Sequence, residues 1–348
     1  MVRRQLPAAG EAVSAGIDAA ERERVVGLVF GFFPAQVVRT LAGLGVPDAI
    51  GDGSLGVEQL AGQTATHPDA LARLLRAACG LDLVARTPDG AYTLTPGGQL
   101  LRTGRPGSIG NLAQLFCHDT VWRSWGELEW SVRTGEPSFE KITGRSSFAY
   151  FAEHPDLNAV FTEAMAEGTR TAAAGIVAAC DLTGVTTLAD IGGGNGTLLA
   201  AFLDAHPDLQ GILFDSPSGA TATVVDERCE IVTGDFFQEV PAADAHVVKS
   251  VVHDWDDEHC VAILSRIRAA MPAHGVLFLV EPILRDDPAA LADQRILLMS
   301  DLNMLVCLGG RERTREQFAG LLSAAGLALT GVTPAGGSGY SVLRAVPA

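Results

Sequence analysis

A glycine turn near the middle of the chain constrains its fold more than any other feature. Residues 187–196 read TLADIGGGNG, a short apolar run that leads directly into four glycines, and the helix-like run TLLAAFLDAHP follows. A glycine-rich loop between a strand and a helix lets the backbone approach a ligand closely. Because these glycines lack the G-x-G-x-x-G spacing of a pyrophosphate loop, the turn better fits a cofactor that has an amino-acid end and no phosphates.

Strand-like and helix-like runs alternate after this turn. Strands are predicted at TLADI, LQGILFD, AHVVKSVVH, HGVLFLVEPI and GYSVLRAV, and a helix is predicted at EHCVAILSRIRAAMP. This alternation predicts an α/β domain with an open, mostly parallel, Rossmann-like sheet. The domain is expected to span residues 181–348, with its boundary near 175–185.

Acidic residues follow the predicted strands at one edge of this sheet. Asp190 lies at the end of the first strand, Asp215 ends the second, and the turn Gly234-Asp235-Phe236 follows the next. A carboxylate at a strand end accepts hydrogen bonds from ribose hydroxyls, although a plain turn residue is the alternative for Asp215. Three such turns predict an adenosine-binding crevice at the switch point of the sheet.

Residues 1–107 are predicted to form a mostly helical domain. Residues 57–96 read as helix, turn, helix and short hairpin, which is a winged-helix pattern. Arg73 and Arg76 fall where a DNA reader places base contacts, but a packing or dimerisation role fits an acidic chain better. The apolar run 21–50, interrupted by Pro34, is predicted to be helical. Its apolar surface could be buried against a second copy of the chain or within the same chain, and the sequence does not decide between the two.

The amino-acid composition limits the classes of binding partner that are expected. Lys and Arg total 25 against 41 Asp and Glu, so the net charge is −16 and a nucleic-acid partner is not expected. No apolar stretch reaches about 18 residues, and the first residues lack the apolar core of a secretory signal, so no membrane partner is expected. Six scattered cysteines without a C-x-x-C pair predict buried free thiols and a cytoplasmic location.

The chain resembles the S-adenosylmethionine-dependent O-methyltransferases, in particular the plant caffeic acid and isoflavone type and its bacterial cousins in polyketide and antibiotic biosynthesis. The motifs that carry the resemblance are LADIGGGNGTLL, FDSP, GDFF, KSVVHDWDDEHC, VEPIL and GGRERTREQF. The resemblance covers nearly the whole chain. It implies a class I methyltransferase domain, S-adenosylmethionine as cofactor, and a homodimer formed through the N-terminal winged-helix domain.

The resemblance also implies roles for individual residues. His253 matches the catalytic base, and Glu281 and Glu312 match the acidic residues that flank it. The implied cofactor-binding residues are Asp190, Gly192, Gly194, Asp215, Gly234, Asp235, Phe236, Lys249, Ser250 and Trp255. The implied acceptor-binding residues, partly within the helical region 108–180, are Phe116, Trp122, Phe161, Met165, Asp254, Met299, Asn303 and Met304. No metal is implied, and the acidic residues 256–258 are interpreted as a helix N-terminus.

The chain departs from the family pattern at two places. Ser216 follows Asp215 where the family often has leucine, which should not affect ribose binding. The segment 303–310 is one residue shorter than in the plant enzymes, so the shape of the acceptor pocket is left open. The arginines of the cluster 311–313 are expected to be solvated.

The chemistry of methyl transfer explains why these residue types are needed. A methyl group on a sulfonium transfers by in-line attack of an oxygen, so the protein must align three atoms and remove a proton. Phenols have a pKa of about 10 and free imidazole about 6.5, a gap worth about 4.8 kcal/mol. A carboxylate on the far ring nitrogen fixes the histidine tautomer and stabilises the imidazolium. The aromatic and methionine-rich acceptor residues favour a flat aromatic or polyketide acceptor.

Other functions remain open from the sequence alone. The same fold supports hydroxylation, decarboxylation or pericyclic chemistry in some bacterial cousins, and N-methylation in others. A ligand-responsive regulator that uses the winged helix on DNA is a rival from another class, which the net charge disfavours. An inert homologue acting as an oligomeric partner is a further rival, which the complete glycine turn disfavours.

Overall fold

The computed structural model describes residues 18–221 and 223–348; the segment searched for a secretory signal lies outside them. The helices are α1 (Ala19–Val29), α2 (Phe32–Gly43), α3 (Val46–Ile50), α4 (Val57–Gln63), α5 (Pro68–Gly80), α6 (Pro96–Gln99), α7 (Gly110–Phe116), α8 (Asp119–Gly126), α9 (Leu128–Thr134), α10 (Ser138–Thr143), α11 (Ser147–Glu153), α12 (Pro155–Ala179), α13 (Thr197–Ala205), α14 (Asp257–Ala270), α15 (Arg295–Cys307) and α16 (Arg315–Ala324). The strands are β1 (Val84–Arg86), β2 (Tyr92–Leu94), β3 (Thr187–Ile191), β4 (Gln210–Asp215), β5 (Cys229–Thr233), β6 (Ala245–Lys249), β7 (Val276–Glu281), β8 (Leu327–Pro334) and β9 (Ser341–Pro347).

The N-terminal region contains the predicted winged helix. Helices α4 and α5 are followed by the antiparallel hairpin β1–β2, and Leu55 adds a bridge to Tyr92. Proline at the first position starts α5, as is common at helix N-termini. The buried side chains Leu71, Leu75 and Ala78 recur at helical spacing and pack into the core of this domain. Arg73 and Arg76 lie on its exposed face.

The apolar run 21–50 folds as three helices rather than one. The break falls between α1 and α2, before Pro34, because proline is tolerated in the first turn of a helix. Helix α1 has no buried residue, so burial within the same chain is wrong for this helix. Its exposed apolar side chains continue into α2 and comprise Val25, Leu28, Val29, Phe30, Phe32 and Phe33. A contiguous exposed patch of this kind marks an interaction surface.

One stretch within residues 18–221 and 223–348 is long and apolar enough to cross a membrane by length and composition. It covers Ala19–Gly43, and its most apolar window has a mean hydropathy of 1.6 with 11% of the window buried. The sequence expectation that no stretch passes this test is therefore wrong. The test by itself is weak, because core helices and signal sequences also pass it.

The C-terminal half is a seven-stranded sheet with the order β5-β4-β3-β6-β7-β9-β8. Strands β3 to β7 are parallel and β9 runs antiparallel between β7 and β8, which confirms the open, mostly parallel sheet. Helices α12 and α13 pack on one face, and α14 and α16 pack on the other. The strand order reverses between β3 and β6, so a ligand crevice is expected outside the carboxyl ends of these two strands.

Two details of the sheet differ from the sequence prediction. The strand predicted over residues 245–253 ends at Lys249, because Ser250 has a φ of 53° and turns the chain into a 3-10 helix at Val252–Asp254. Strand β8 was not predicted, and β5 was inferred only from the turn that follows it. Three of the five residues of β5 are exposed at the sheet edge, so β5 lacks a continuous apolar run.

The six helices α7–α12 confirm the predicted helical region between the two domains. Helix α12 packs against α7 and α11 on one side and against α13 of the sheet domain on the other. Buried Glu167 of α12 accepts hydrogen bonds from Ser108, Asn111 and Leu112, which fixes α12 to the start of α7. The helical region therefore connects the N-terminal domain to the edge of the sheet that carries the acidic residues.

Candidate active site

The glycine turn folds tightly against the ends of two strands. The backbone N–H groups of Gly192 and Gly193 donate to the carbonyl of Phe214 at 2.8 and 3.3 Å. Gly192 has a φ of 71°, and a Cβ there would lie 2.7 Å from Val251 Cγ2. A Cβ on Gly193 would lie 2.8 Å from a carboxylate oxygen of Asp190. Side chains are thus excluded from these two positions, and backbone forms the floor of the crevice.

Two carboxyl groups lie beneath this turn. Asp190 is 1% exposed, burial raises its pKa to about 7, and its Oδ2 has no hydrogen-bond partner. Asp215 accepts hydrogen bonds from the N–H groups of Gly194 and Ser216 at 2.8 and 2.7 Å, and burial raises its pKa. A buried polar atom without a partner is rare in native proteins. Asp190 Oδ2 is therefore an acceptor suited to a ligand that carries donors.

An aromatic cluster centred on Trp255 borders the crevice. The Phe148 ring stacks on Trp255 at 5.8 Å between centroids, while Phe236 and Phe237 meet it edge-on at 6.0 and 4.9 Å. Trp255 Nε1 is buried without a hydrogen-bond partner. Asp235, next to Phe236, accepts a hydrogen bond from the Phe237 N–H at 2.9 Å. Flat apolar faces with nearby polar atoms suit a planar heterocycle such as adenine.

Lys249 and Ser250 lie at the end of β6 and contact a residue that sequence reasoning missed. The Lys249 ammonium lies 4.7 Å from the centre of the Tyr340 ring, and Ser250 Oγ donates to Tyr340 Oη at 3.2 Å. Tyr340 lies just before β9, ninety residues from Ser250 along the chain. No local motif marks Tyr340 as a site residue, because it reaches Ser250 only through the tertiary position of the loop that precedes β9.

His253 lies among three carboxyl groups. Its Nδ1 is 3.2 Å from Glu312 Oε1 and 3.7 Å from Glu281 Oε2. Its Nε2 is 3.4 Å from Asp254 Oδ1, and its side chain is 13% exposed. The structure thus brings together all three residues predicted to be catalytic, with both glutamates on the same ring nitrogen. Such an arrangement holds the ring orientation and favours the imidazolium.

Both glutamates are themselves held in place. Glu281 ends β7, and its Oε1 accepts hydrogen bonds from the N–H groups of Val251 and Val252 at 3.2 and 3.0 Å. Glu312 Oε1 accepts a hydrogen bond from Ser300 Oγ at 2.8 Å. One oxygen of each glutamate is buried without a hydrogen-bond partner. Each carboxylate therefore has a hydrogen-bond partner in the fold other than the histidine.

The surroundings change the pKa of His253 strongly. Burial disfavours the charged ring, but Glu281, Asp254 and Glu312 outweigh it and raise the pKa of His253 to about 10. Burial raises the pKa of Asp254 to about 7. Free imidazole and a phenol differ by several pKa units. In the folded protein that gap nearly closes, so proton transfer from a phenol to neutral His253 is close to balanced.

Arg313 holds the segment that carries His253, and the sequence analysis missed it. Its guanidinium donates to the carbonyls of Val252 and Trp255 at 3.0 and 2.8 Å and to Asp257 at 2.7 Å. Arg313 is 1% exposed, so the expectation that the arginines at 311–313 are solvated is wrong for Arg313, whereas Arg311 is exposed. The cluster combines one solvated and one buried arginine two positions apart.

Gly310 packs directly against the segment that carries His253. A Cβ at this position would lie 2.1 Å from the carbonyl oxygen of His253. The N–H of Arg311 donates to that same carbonyl at 2.9 Å. The segment 310–313 therefore supplies a backbone contact, the Glu312 carboxylate and the Arg313 guanidinium to the turn around His253.

The residues predicted to bind the acceptor lie in different surroundings. Phe161 and Met165 of α12 join the helical-region cluster with Trp125, whose Nε1 donates to Asn303 Oδ1 at 3.0 Å. Met304 is buried, and Asp254 lies beside His253 Nε2. The remaining three differ: Phe116 and Met299 are 42% and 48% exposed, and Trp122 packs on Phe32 of α2. Among residues 18–221 and 223–348 no group of His, Cys, Asp or Glu has the geometry to hold a metal ion.

The strand order, the glycine turn and the polar groups at the carboxyl ends of the strands define a class I methyltransferase. A model of the O-methyltransferase domain matches residues 125–328, and a model of the O-methyltransferase dimerisation domain matches residues 26–104. The chain belongs to this O-methyltransferase family, and its resemblance to the family is confirmed. The dimerisation match includes most of the exposed apolar patch of α1 and α2.

Individual relatives agree with this assignment. O-demethylpuromycin-O-methyltransferase of Streptomyces alboniger is 39% identical over 94% of this chain and 89% of that protein. The solved structure of LaPhzM matches with a TM-score of 0.90 and 37% identity, over 94% of this chain and 99% of that chain. The O-methyltransferase NcsB1 from neocarzinostatin biosynthesis, solved with S-adenosylmethionine and 2-hydroxy-5-methyl naphthoic acid, matches with a TM-score of 0.77 and 32% identity, over 90% and 96% of the two chains. The chain is an S-adenosylmethionine-dependent O-methyltransferase.

Proposed function

We propose that this enzyme transfers the methyl group of S-adenosylmethionine to a phenolic hydroxyl of an aromatic, polyketide-type small molecule in secondary metabolism, with His253 as general base. The observation that carries the proposal is the position of His253. Its ring lies at the carboxyl edge of the sheet with Glu312 and Glu281 on Nδ1. That arrangement leaves Nε2, beside Asp254, as the atom that takes the acceptor's proton.

The crevice fits the cofactor. Bound S-adenosylmethionine supplies the electrophilic methyl group and a fixed positive charge. Its donor-rich amino-acid end suits the glycine turn and the unbonded Asp190 Oδ2, its ribose suits Asp215, and its adenine suits the faces of Phe236 and Trp255. Lys249 and Ser250 lie at the border of the same crevice, where both contact Tyr340. These assignments use groups that have no competing partner within the fold or that lie at the carboxyl edge of the sheet.

The protonation state of His253 sets the conditions for the reaction. With a pKa of about 10, the ring carries a proton in most molecules of the cofactor-free enzyme at neutral pH. Positive charge placed next to the ring favours loss of that proton. Neutral His253 then accepts the phenol proton at Nε2, and the imidazolium formed is stabilised by Glu281 and Glu312. The carboxylates thus bring the pKa of His253 close to the pKa of its phenolic substrate.

The acceptor is proposed to be flat and aromatic. Phe161, Met165 and Trp125 form an aromatic and thioether surface next to Asn303. The relatives reported above act on a puromycin precursor or bind a hydroxylated naphthoic acid. A polycyclic phenol is consistent with both the lining and the relatives, and the particular acceptor has to be found by assay.

The enzyme is further proposed to act as a homodimer in the cytoplasm. The exposed apolar patch of α1 and α2 includes Phe30, Phe32 and Phe33, and the dimerisation-domain match covers these positions. Pairing of two copies buries a surface that a single chain leaves in water. In such a dimer the apolar stretch Ala19–Gly43 would be covered by the second copy of the chain rather than by a lipid bilayer.

The proposal is tested by mass spectrometry with methyl-deuterated S-adenosylmethionine and a panel of phenols, hydroxyquinones and matched aromatic amines. We expect a product whose mass rises by a CD₃ group less one hydrogen, and only from acceptors that carry a phenolic hydroxyl. Labelled amines would indicate N-methylation instead. Mass changes without label would indicate one of the non-methylating reactions that this fold supports, and either result contradicts the proposal.

A further inference from the structure

A second cavity lies away from the residues around His253. It has a volume of about 280 Å³ and is bounded by α2, the corner between α7 and α8, and the start of α12. Arg39, Gln114 and His118 supply its polar lining, and Leu44, Leu157 and Val160 form its apolar walls. Its volume is near the lower limit of about 300 Å³ for small-molecule sites. The cavity is therefore large enough for one end of a small organic ligand.

Two polar side chains of this cavity, Arg39 and Gln114, offer hydrogen-bond donors that no described protein group accepts. Within residues 18–221 and 223–348, neither Arg39 nor Gln114 has a side-chain hydrogen bond or an ion pair. His118 Nδ1 accepts a hydrogen bond from the Thr120 N–H at 3.3 Å, which leaves Nε2 as the protonated, donating nitrogen of the neutral ring. A guanidinium has five donors and no acceptor. The complementary ligand group is an anion or a strong hydrogen-bond acceptor.

The charge of this cavity is opposite to that of the catalytic end. Burial and the positive charge of Arg39 lower the pKa of His118 against the opposing charge of Asp119, so the positive charge of the cavity comes from Arg39. The chain as a whole has a net charge of −16, and Glu281, Glu312 and Asp254 surround His253. A ligand with a carboxylate at one end would be repelled from the His253 end and attracted to Arg39.

Helix α12 connects the two regions. Leu157 and Val160 line the cavity, and the following turns carry Phe161 and Met165, which belong to the proposed acceptor surface. A rise of about 1.5 Å per residue places Met165 about 12 Å along the helix from Leu157. That distance is comparable to the length of a fused aromatic acid, so a molecule that lies along α12 would have the length to span from the cavity to Met165.

We propose that Arg39, with His118 and Gln114, binds the carboxylate of the acceptor, and that the preferred acceptors are aromatic hydroxy acids. This inference rests on the proposed function, because it places the hydroxyl of the same molecule at His253. A guanidinium binds a carboxylate through two parallel hydrogen bonds, which fixes orientation as well as affinity. Arg39 thereby determines which hydroxyl of a polycyclic acid reaches His253.

The first test is direct binding, measured by calorimetry on the dimeric enzyme without methyl donor. The probes are 2-naphthoate and its neutral isostere 2-naphthamide. We expect the wild type to bind the acid about tenfold or more tightly than the amide. Arg39→Met should remove that preference, and Arg73→Met, an exposed arginine on α5, should retain it. Arg39→Lys should retain part of it, because charge remains while the bidentate geometry is lost.

Three results of this binding test would overturn the inference. They are equal affinity of the wild type for acid and amide, no binding of 2-naphthoate, and the same loss of preference in Arg39→Met and Arg73→Met. An unchanged thermal unfolding midpoint in Arg39→Met shows that the fold is intact. Because no methyl donor is present, failure of this test is distinct from failure of the proposed methyl transfer.

The second test asks whether the acid that binds at Arg39 is the methyl acceptor or an unrelated acid. Hydroxynaphthoates and the corresponding naphthols are compared as acceptors in the methyl-deuterated assay. We expect Arg39→Met to lower kcat/KM for the hydroxy acids by about tenfold or more and to leave the naphthols unchanged. Arg39-dependent binding of 2-naphthoate without any advantage of hydroxy acids as acceptors would assign the cavity to a separate acid, and would contradict the role proposed here.

Discussion

Replacement of His253 by alanine is expected to lower kcat by about 100-fold or more, because general-base catalysis contributes about 10² to 10⁴ in rate. The ring has no role in holding the glycine turn or the Trp255 cluster, so the affinity for S-adenosylmethionine should stay within about threefold of the wild type. Steady-state kinetics with the best acceptor of the panel gives kcat, and calorimetry gives the cofactor affinity.

His274→Ala is the matched control for this variant. His274 lies just before β7, at the opposite end of that strand from Glu281, is 74% exposed, and lies 3.7 Å from Asp244. It should keep nearly full activity. A His253→Ala enzyme that retains more than about a third of the wild-type kcat would show that His253 is not the base.

Loss of the Arg313 guanidinium is expected to have the second-largest effect, and to act on stability as well as rate. Arg313→Met removes the guanidinium that donates to the carbonyls of Val252 and Trp255 and that pairs with Asp257, whose side chain is 63% exposed. The cost comes from the carbonyls, and the loss of these hydrogen bonds should lower the free energy of unfolding by about 1 to 3 kcal/mol. In the folded fraction, the turn that carries His253 loses its anchor, and kcat should fall by about 10- to 100-fold.

The neighbouring arginine provides the control. Arg311 is exposed, so Arg311→Met should leave both the unfolding midpoint and kcat near the wild-type values. Arg313→Lys should recover part of the stability and less of the rate, because a lysine cannot reproduce the forked contacts to two carbonyls and Asp257. Chemical denaturation and single-turnover kinetics separate the two effects. If Arg313→Met lowers stability but leaves the pH profile and kcat unchanged, Arg313 is structural only and does not position His253.

The sequence predicted the parts of the fold that repeat a local pattern. The alternation after residue 187 defined the parallel sheet, and the acids that follow β3, β4 and β5 lie at one edge because parallel strands share their carboxyl ends. The resemblance brought His253, Glu281 and Glu312 into one site, and the structure places the two glutamates 3.7 and 3.2 Å from the His253 ring.

Other features could not be predicted because they depend on tertiary contacts. Arg313 and Tyr340 act through residues far away in sequence, and nothing in their local sequence distinguishes a buried arginine from a solvated one. The strand predicted through His253 ends early because Ser250 adopts a positive φ, which period-2 patterns do not encode. The high pKa of His253 likewise arises from three carboxyl groups that converge only in the folded chain.

The proposed role of His253 as a base makes a specific prediction about pH. The charge of Glu281 is the largest single interaction that raises the pKa of His253, so its removal should lower that pKa from about 10 toward the ordinary value. Neutral His253 is then present at lower pH, so the ascending limb of kcat/KM should move to lower pH in Glu281→Gln. The glutamine can still accept the hydrogen bonds from Val251 and Val252, so the turn should keep its shape.

The most direct test of the account is therefore the pH dependence of kcat/KM for methyl transfer in the wild type, Glu281→Gln and the control Glu230→Gln. Glu230 is exposed on β5, and the acceptor's own pKa is the same for all three enzymes. The account predicts an ascending limb in the wild type, a limb in Glu281→Gln shifted acidward by about one unit or more, and no shift in Glu230→Gln. Identical limbs in the wild type and Glu281→Gln would contradict it.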